Sequence, residues 1–268
     1  HRGWDGGPGR RALSMSDDLF HGALLDVNRT VRSSGIPGEL AEFDGWMVAD
    51  SGTGIDGLNQ ALVLEVPRAV RSLESVEQWF RARGTGFQLV LRIPGDEAVF
   101  ELAKARGYAQ TRSQPLMAAL MPLSSYPLAA GATAAIVRDA EDIRNYLSVR
   151  GSSPGRPPHD EEAKVIAALV ATGKLHYFVA MDDGVPIATA SSAVSGAVVS
   201  ISNVWVAETA RKRGLGTAMT AIAAASHREA EWAILEASAM GDPVYRRMGF
   251  DERFRYVRLA PPQGSAVS

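Results

Sequence analysis

Between Val204 and Met219 the chain reads Val-Trp-Val-Ala-Glu-Thr-Ala-Arg-Lys-Arg-Gly-Leu-Gly-Thr-Ala-Met, a β-type run that passes through a basic, glycine-containing turn directly into an alanine-rich helix. The first turn of a helix leaves several N–H groups without partners, and its aligned peptide dipoles place partial positive charge there. Phosphate fits such a place. Gly214 and Gly216 lack the Cβ atoms that would hold an oxygen away from the backbone, and Arg211, Lys212 and Arg213 can add charge-assisted hydrogen bonds. A pyrophosphate is a natural ligand for this turn. Taken alone, Gly-x-Gly before a helix serves equally as a turn former and a helix-packing position. Two other phosphate motifs are excluded: no Gly-x-x-x-x-Gly-Lys-Ser/Thr occurs, and the third glycine and downstream acid of a dinucleotide fold are missing.

The 28 Lys and Arg against 30 Asp and Glu leave a formal charge of -2, so no global field draws the chain to nucleic acid or to anionic membranes. Any anion must be held locally. Cysteine is absent, which removes disulfides, thiolate zinc sites and a thiol nucleophile and fits a reducing cytoplasm. Five scattered His make a metal site an unattractive reading. No window approaches the ~20 apolar residues that a bilayer span needs. Residues 1–15 read as a leader or tag, since the Gly- and Arg-rich His1 to Ser14 lacks an apolar signal region and precedes Met15-Ser16-Asp17-Asp18.

Apolar spacing predicts helices over Leu19 to Val31, Ser72 to Arg83 and Asp96 to Arg106, and strands over Phe43 to Ala49, Leu58 to Val66, Phe87 to Ile93 and Ser113 to Met121. Pro122 to Gly131 has no periodicity and reads as a linker between domains 16–121 and 132–260, with a tail at 261–268. Beyond it come a strand (Thr133 to Val137), two helices (Ala140 to Val149, Glu161 to Ala171) flanking a Pro- and Gly-rich loop, and three strands between Leu175 and Val206. A helix (Gly214 to Glu229), a strand (Trp232 to Ala237), a short helix (Pro243 to Met248) and a last strand (Phe250 to Leu259) complete the order. Both halves end as helix, strand, helix and a Gly-aromatic pair opening a strand, at Gly107-Tyr108 and Gly249-Phe250. That is a weak internal repeat in an α/β chain.

Arg211-x-x-Gly214-x-Gly216 after Val204-x-Val206, followed by the strand Trp232 to Ala237 and by Tyr245-Arg-Arg-Met-Gly249-Phe250, resembles the GCN5-related N-acetyltransferases (GNAT). The resemblance covers Thr133 to Leu259 in element order, and the first half is similar to a degenerate second copy. It implies two GNAT-like domains, each a central mixed, mostly antiparallel sheet flanked by helices, with acetyl-CoA and an amine acceptor as partners. Main-chain groups of Val204, Trp205 and Val206 would pair with pantetheine amides, while Arg211, Lys212, Arg213, Gly214, Leu215, Gly216 and Thr217 would cradle the pyrophosphate. Ser238 would border the cofactor, and Tyr245 would be the general acid that protonates the departing thiolate. A phenol with its ordinary pKa near 10 keeps its proton at neutral pH.

The base is where the match thins. Ser202 occupies the position at which many members carry Glu, and a hydroxyl cannot take a proton from an ammonium unaided. A water wire through Ser202, Asn203 or Ser238, or attack by an amine already deprotonated, are the open routes; Glu208 reads as solvated. Arg150, Arg156, His159 and Asp160 border the expected acceptor groove, although each is also an ordinary surface residue. His176 reads as structural and His227 as a solvated charge partner late in its helix. In place of the phosphate turn the first half has Val66-Pro67-Arg68-Ala69-Val70-Arg71-Ser72, without glycine. Its expected uses are covering the sheet, walling the groove or forming a homodimer.

Overall fold

The computed structural model describes residues 15–52, 58–150 and 159–262. The leader through Ser14, the glycines Gly54 and Gly57, the loop at 151–158 with Arg156, the side chain of His159 and the tail from 263 lie outside the described residues. The first half runs α1 (Met15–Arg32), β1 (Glu39–Phe43), β2 (Trp46–Asp50), β3 (Gln60–Val63), α2 (Val66–Arg71), α3 (Leu73–Arg81), β4 (Gln88–Ile93), α4 (Glu97–Ala105) and β5 (Ala109–Leu120). The second runs β6 (Ala132–Ile136), α5 (Ala140–Arg150), α6 (His159–Ala171), β7 (Leu175–Asp182), β8 (Val185–Ser195), β9 (Val198–Val206), α7 (Leu215–Ala225), β10 (Trp232–Glu236), α8 (Asp242–Arg247) and β11 (Asp251–Ala260).

Three of the differences from the spacing argument have a plain local cause. The single strand expected over Phe43 to Ala49 is a hairpin, because Asp44 and Gly45 both take positive φ (48° and 84°) and turn β1 onto β2. An Asp-Gly pair is a hairpin signal in its own right. The strand expected to reach Val66 stops at Val63, and Pro67 sits in the first turn of α2, where its missing N–H costs nothing. The helix expected to run to Glu229 ends at Ala225. His227 therefore lies beyond the helix and is buried, not solvated.

One mixed, mostly antiparallel sheet joins the described strands in the order β1-β2-β3-β4-β11-β5-β10-β9-β8-β7-β6. The order places the last strand of each half inside the other: β11 lies between β4 and β5, and β5 lies between β11 and β10. In each half the strand before the exchange is parallel to its predecessor, β4 to β3 and β10 to β9. The segment 122–131 divides the chain but not the sheet, and Leu123, Tyr126, Leu128 and Ala129 pack on the core of the second half.

Side-chain alternation assigns the two faces. On one face α1 buries Phe20, Ala23 and Leu25 on Leu62, Val90, Leu116, Ile234, Phe254 and Tyr256, and α5 and α6 continue this layer. On the other, α2, α3 and α4 cover Leu89, Leu91, Val257 and Leu259, while α7 and α8 cover Met117, Val199, Ile201 and Leu235. Small residues along α7 (Ala218, Ala223, Ala224) let its backbone approach the strands below.

Candidate functional site

The site is built on two strands that part. β9 and β10 are paired in parallel from Trp232↔Val198 to Ile234↔Ser200 and no further. Beyond that point β9 follows β8 to Val206, and β10 follows β5 to Glu236. The main chain from Ile201 to Val206 therefore has no β10 partner, and a wedge opens between the strands. A bulge helps to open it: the β8–β9 register shifts between Thr189 and Ser191, and Asn203 sits at φ 53°. Asn is among the residues that tolerate this region best. Thr189 Oγ1 donates to the carbonyl of Asn203 at 3.0 Å, and Asn203 Nδ2 donates to Ser191 Oγ at 2.9 Å, which fixes the bulge. Val204 and Val206 turn toward the α7 layer, while Trp205 is 38 % exposed.

At the open end of β9 a 3-10 turn, Glu208–Ala210, leads through Lys212 and Gly214, both with positive φ (65° and 77°), into α7. Glycine is suited to position 214 because that backbone conformation strains any side chain. No side chain caps α7; the carbonyl of Gly214 accepts from Ala218 N at 3.0 Å, as in an ordinary first turn. Leu215 is buried in the core, so only its main chain faces the turn. Gly216 and Thr217 are half-buried on the first turn. A Cβ built on Gly216 would meet only Val206 Cγ2, at 3.8 Å. The three cations are arranged differently from one another. Lys212 is exposed, Arg211 pairs with the exposed Glu208 at 3.1 Å, and Arg213 is tied to Asp182 at the end of β7 at 2.7 Å.

Tyr245 comes from α8, on the same layer as α7, and is buried to 9 % exposure. Its ring stands edge-on to Phe250 with centroids 5.9 Å apart. Gly241 allows this seat, since a Cβ there would lie 2.7 Å from Tyr245 Cε2. Ser238 Oγ accepts from Gly241 N at 3.1 Å and so shapes the same loop. Burial pushes the phenol pKa up, opposed by the side chain of Thr220 on α7. The group is thus a protonated phenol at neutral pH. Thr220 and Gly241 carry no motif of their own and were not legible before the α7 and α8 layers were placed together.

On the opposite face, Ser202 is exposed and shares a 2.9 Å hydrogen bond with the buried Ser191 hydroxyl. Tyr146 of α5 is fully buried behind it, its pKa pushed up to about 12 by burial, with Arg150 and Ser191 opposing. Arg150, expected in the groove, is instead buried in an ion pair with Glu162 at 2.6 Å. Glu236, at the end of β10, is held by Arg258 at 2.8 Å and 3.0 Å. His176 and His227 stack with ring centroids 4.6 Å apart, and burial lowers the pKa of His227. Among the described residues no group of three or more His, Asp or Glu is arranged to hold a metal ion, and no helix is long and apolar enough to cross a membrane.

The corresponding place in the first half is built otherwise. α2 begins at once on Val66-Pro67, without a glycine turn. The carbonyl of Val63, where β3 leaves β4, accepts from His21 Nε2 at 3.2 Å. Ala103, four residues before Gly107, stands where Tyr245 stands four residues before Gly249.

Residues 173–252 match the family model described as acetyltransferase (GNAT) domain. A search of curated proteins gives no match. Among solved structures, a GCN5-related N-acetyltransferase from Kribbella flavida superposes with TM-score 0.72 at 21 % identity, covering 94 % of this chain and 98 % of that one. Another from Sphaerobacter thermophilus gives 0.60 at 17 % identity over 81 % and 80 %. A tandem GNAT protein from the clavulanic acid biosynthesis pathway gives 0.59 at 12 % identity over 80 % and 77 %. Residues 173–252 therefore carry an acetyltransferase (GNAT) domain, in a chain whose overall fold is that of GCN5-related N-acetyltransferases.

Proposed function

We propose that this protein transfers an acetyl group from acetyl-CoA to the amine of a small molecule or protein, at one site in its second half. The observation that carries the reading is the wedge between β9 and β10 ending on the uncapped start of α7. The main chain of Val204 to Val206, which follows β8 on one side and borders the wedge on the other, suits amides presented as an added strand. The α7 N-terminus, with Arg211 and Lys212 beside it, suits a pyrophosphate. Arg213 contributes by anchoring the turn to β7 through Asp182. Tyr245 then supplies a proton to sulfur as the thioester opens. The first half, without the glycine turn or a phenol at Ala103, serves as a degenerate copy that completes the sheet.

Calorimetry with coenzyme A tests this directly. One site per chain is expected, lost in Gly216→Val, whose Cβ meets only Val206 Cγ2, at 3.8 Å. Unchanged affinity in the folded variant, or a stoichiometry near two, sinks the assignment. Ser202, a hydroxyl where a base is expected, favours a second reading: an acyl-CoA-binding module without transfer. Release of free thiol from acetyl-CoA across a panel of amines separates the two.

A further inference from the structure

The β9–β10 register can be carried past the point where the strands part. Val198 lies opposite Trp232 and Ser200 opposite Ile234, so continuing the same offset sets Ser202 opposite Glu236 across the wedge. Alternation puts both on one face: Val198 and Ile234 belong to the α1 layer, and each lies an even number of residues from Ser202 or Glu236. The carboxylate missing at Ser202 is thus present on the other arm of the wedge, at the same level. We propose that Glu236 is the group that takes the proton from the acceptor ammonium, a role that rests on the transferase reading above.

Its surroundings fit the task. Arg258 Nη2 donates to Glu236 Oε1 at 3.0 Å, and Nη1 stands 2.8 Å from Oε2 as an ionic contact without hydrogen-bond geometry, so the guanidinium holds the carboxylate in place. A carboxylate has about four lone-pair sites, and Oε2, which makes no hydrogen bond, leaves acceptor capacity for an ammonium or an intervening water. The side chain as a whole is 27 % exposed, with Oε2 on its buried side. The other acids nearby are placed differently. Glu162 is inside a buried pair with Arg150, and Glu208 is 84 % exposed on the phosphate turn.

The step balances as follows. An N–H bond of the ammonium breaks and its proton goes to Glu236, from which it passes to water. The freed nitrogen lone pair forms the C–N bond to the acyl carbon as the C–S bond breaks. Sulfur takes the Tyr245 proton, and the second nitrogen proton returns to the phenolate.

The experiment is the pH profile of kcat/KM for thiol release with n-butylamine and a panel of primary amines, for wild type and Glu236→Gln. The acid limb should disappear in the variant. Its rate should fall about 10²- to 10³-fold near pH 7 and recover toward the pKa of the free amine, while coenzyme A affinity by calorimetry is unchanged. Glu236→Asp should keep the limb with a smaller loss. Should the single variant not fold, Glu236→Gln with Arg258→Gln removes both charges and is read in the same way. An acid limb retained in Glu236→Gln, or abolished by Glu162→Gln instead, overturns the assignment of Glu236 and leaves the transferase reading standing. No thiol release by wild type with any amine overturns both.

Discussion

At the scale of single residues, chemistry and packing meet in Tyr245. Its burial against Phe250, Gly241 and α7 would suffice to explain a tyrosine, so position alone does not separate an acid from a core aromatic. Kinetics does. Tyr245→Phe keeps the ring and removes the proton, so kcat should drop about 10²- to 10⁴-fold while coenzyme A affinity changes little. Near-normal turnover, with chemistry shown to be rate-limiting, would make Tyr245 a packing residue. The motif around Tyr245 was legible in the sequence because it is local. Its hydrogen-bonding environment was not, since Thr220 lies 25 residues away on another helix.

Among the elements, α1 has a role that periodicity did not suggest. Its His21 bridges the sheet, sharing 2.7 Å with the Tyr256 hydroxyl of β11 and donating to the Val63 carbonyl at the end of β3. Burial and the Arg92 charge lower the His21 pKa from 6.5 to about 4. The folded state therefore holds it neutral, and the unfolded chain binds the proton first. Its contribution is fully present above pH 6.5 and is lost as pH falls toward 4. Asp96, raised to about 6 by burial, acts in the opposite sense in the same range and is common to both proteins compared. Urea unfolding at pH 7 and 4.5 should show wild type losing roughly 2 kcal/mol of its advantage over His21→Gln. Parallel losses would mean that His21 is not held neutral.

For the whole molecule the exchange of β5 and β11 decides how the chain holds together. Without β11 the first half leaves β4 paired with β3 alone and removes Val257 and Leu259 from its core, each worth about 1.5–3 kcal/mol of burial. Loss of that order rivals the net stability of a domain. Residues 15–121 expressed alone should therefore give no cooperative unfolding transition, whereas coexpressed 15–121 and 122–268 should copurify and melt together. A sharp transition for 15–121 alone would show that the halves are independent despite the shared sheet.

The sequence by itself determined the element order of the second half, the glycine turn at Arg211 to Thr217 and the Gly-aromatic stops, because each depends on neighbours within a few residues. Only the tertiary structure decided that the linker separates no independent sheets, that Arg150 and Arg213 are engaged by Glu162 and Asp182, and the β9–β10 register that, carried on, sets Glu236 level with Ser202. Those facts depend on which strands pair and in what register. Periodicity in one strand carries a face but no partner, and only the assembled sheet supplies it.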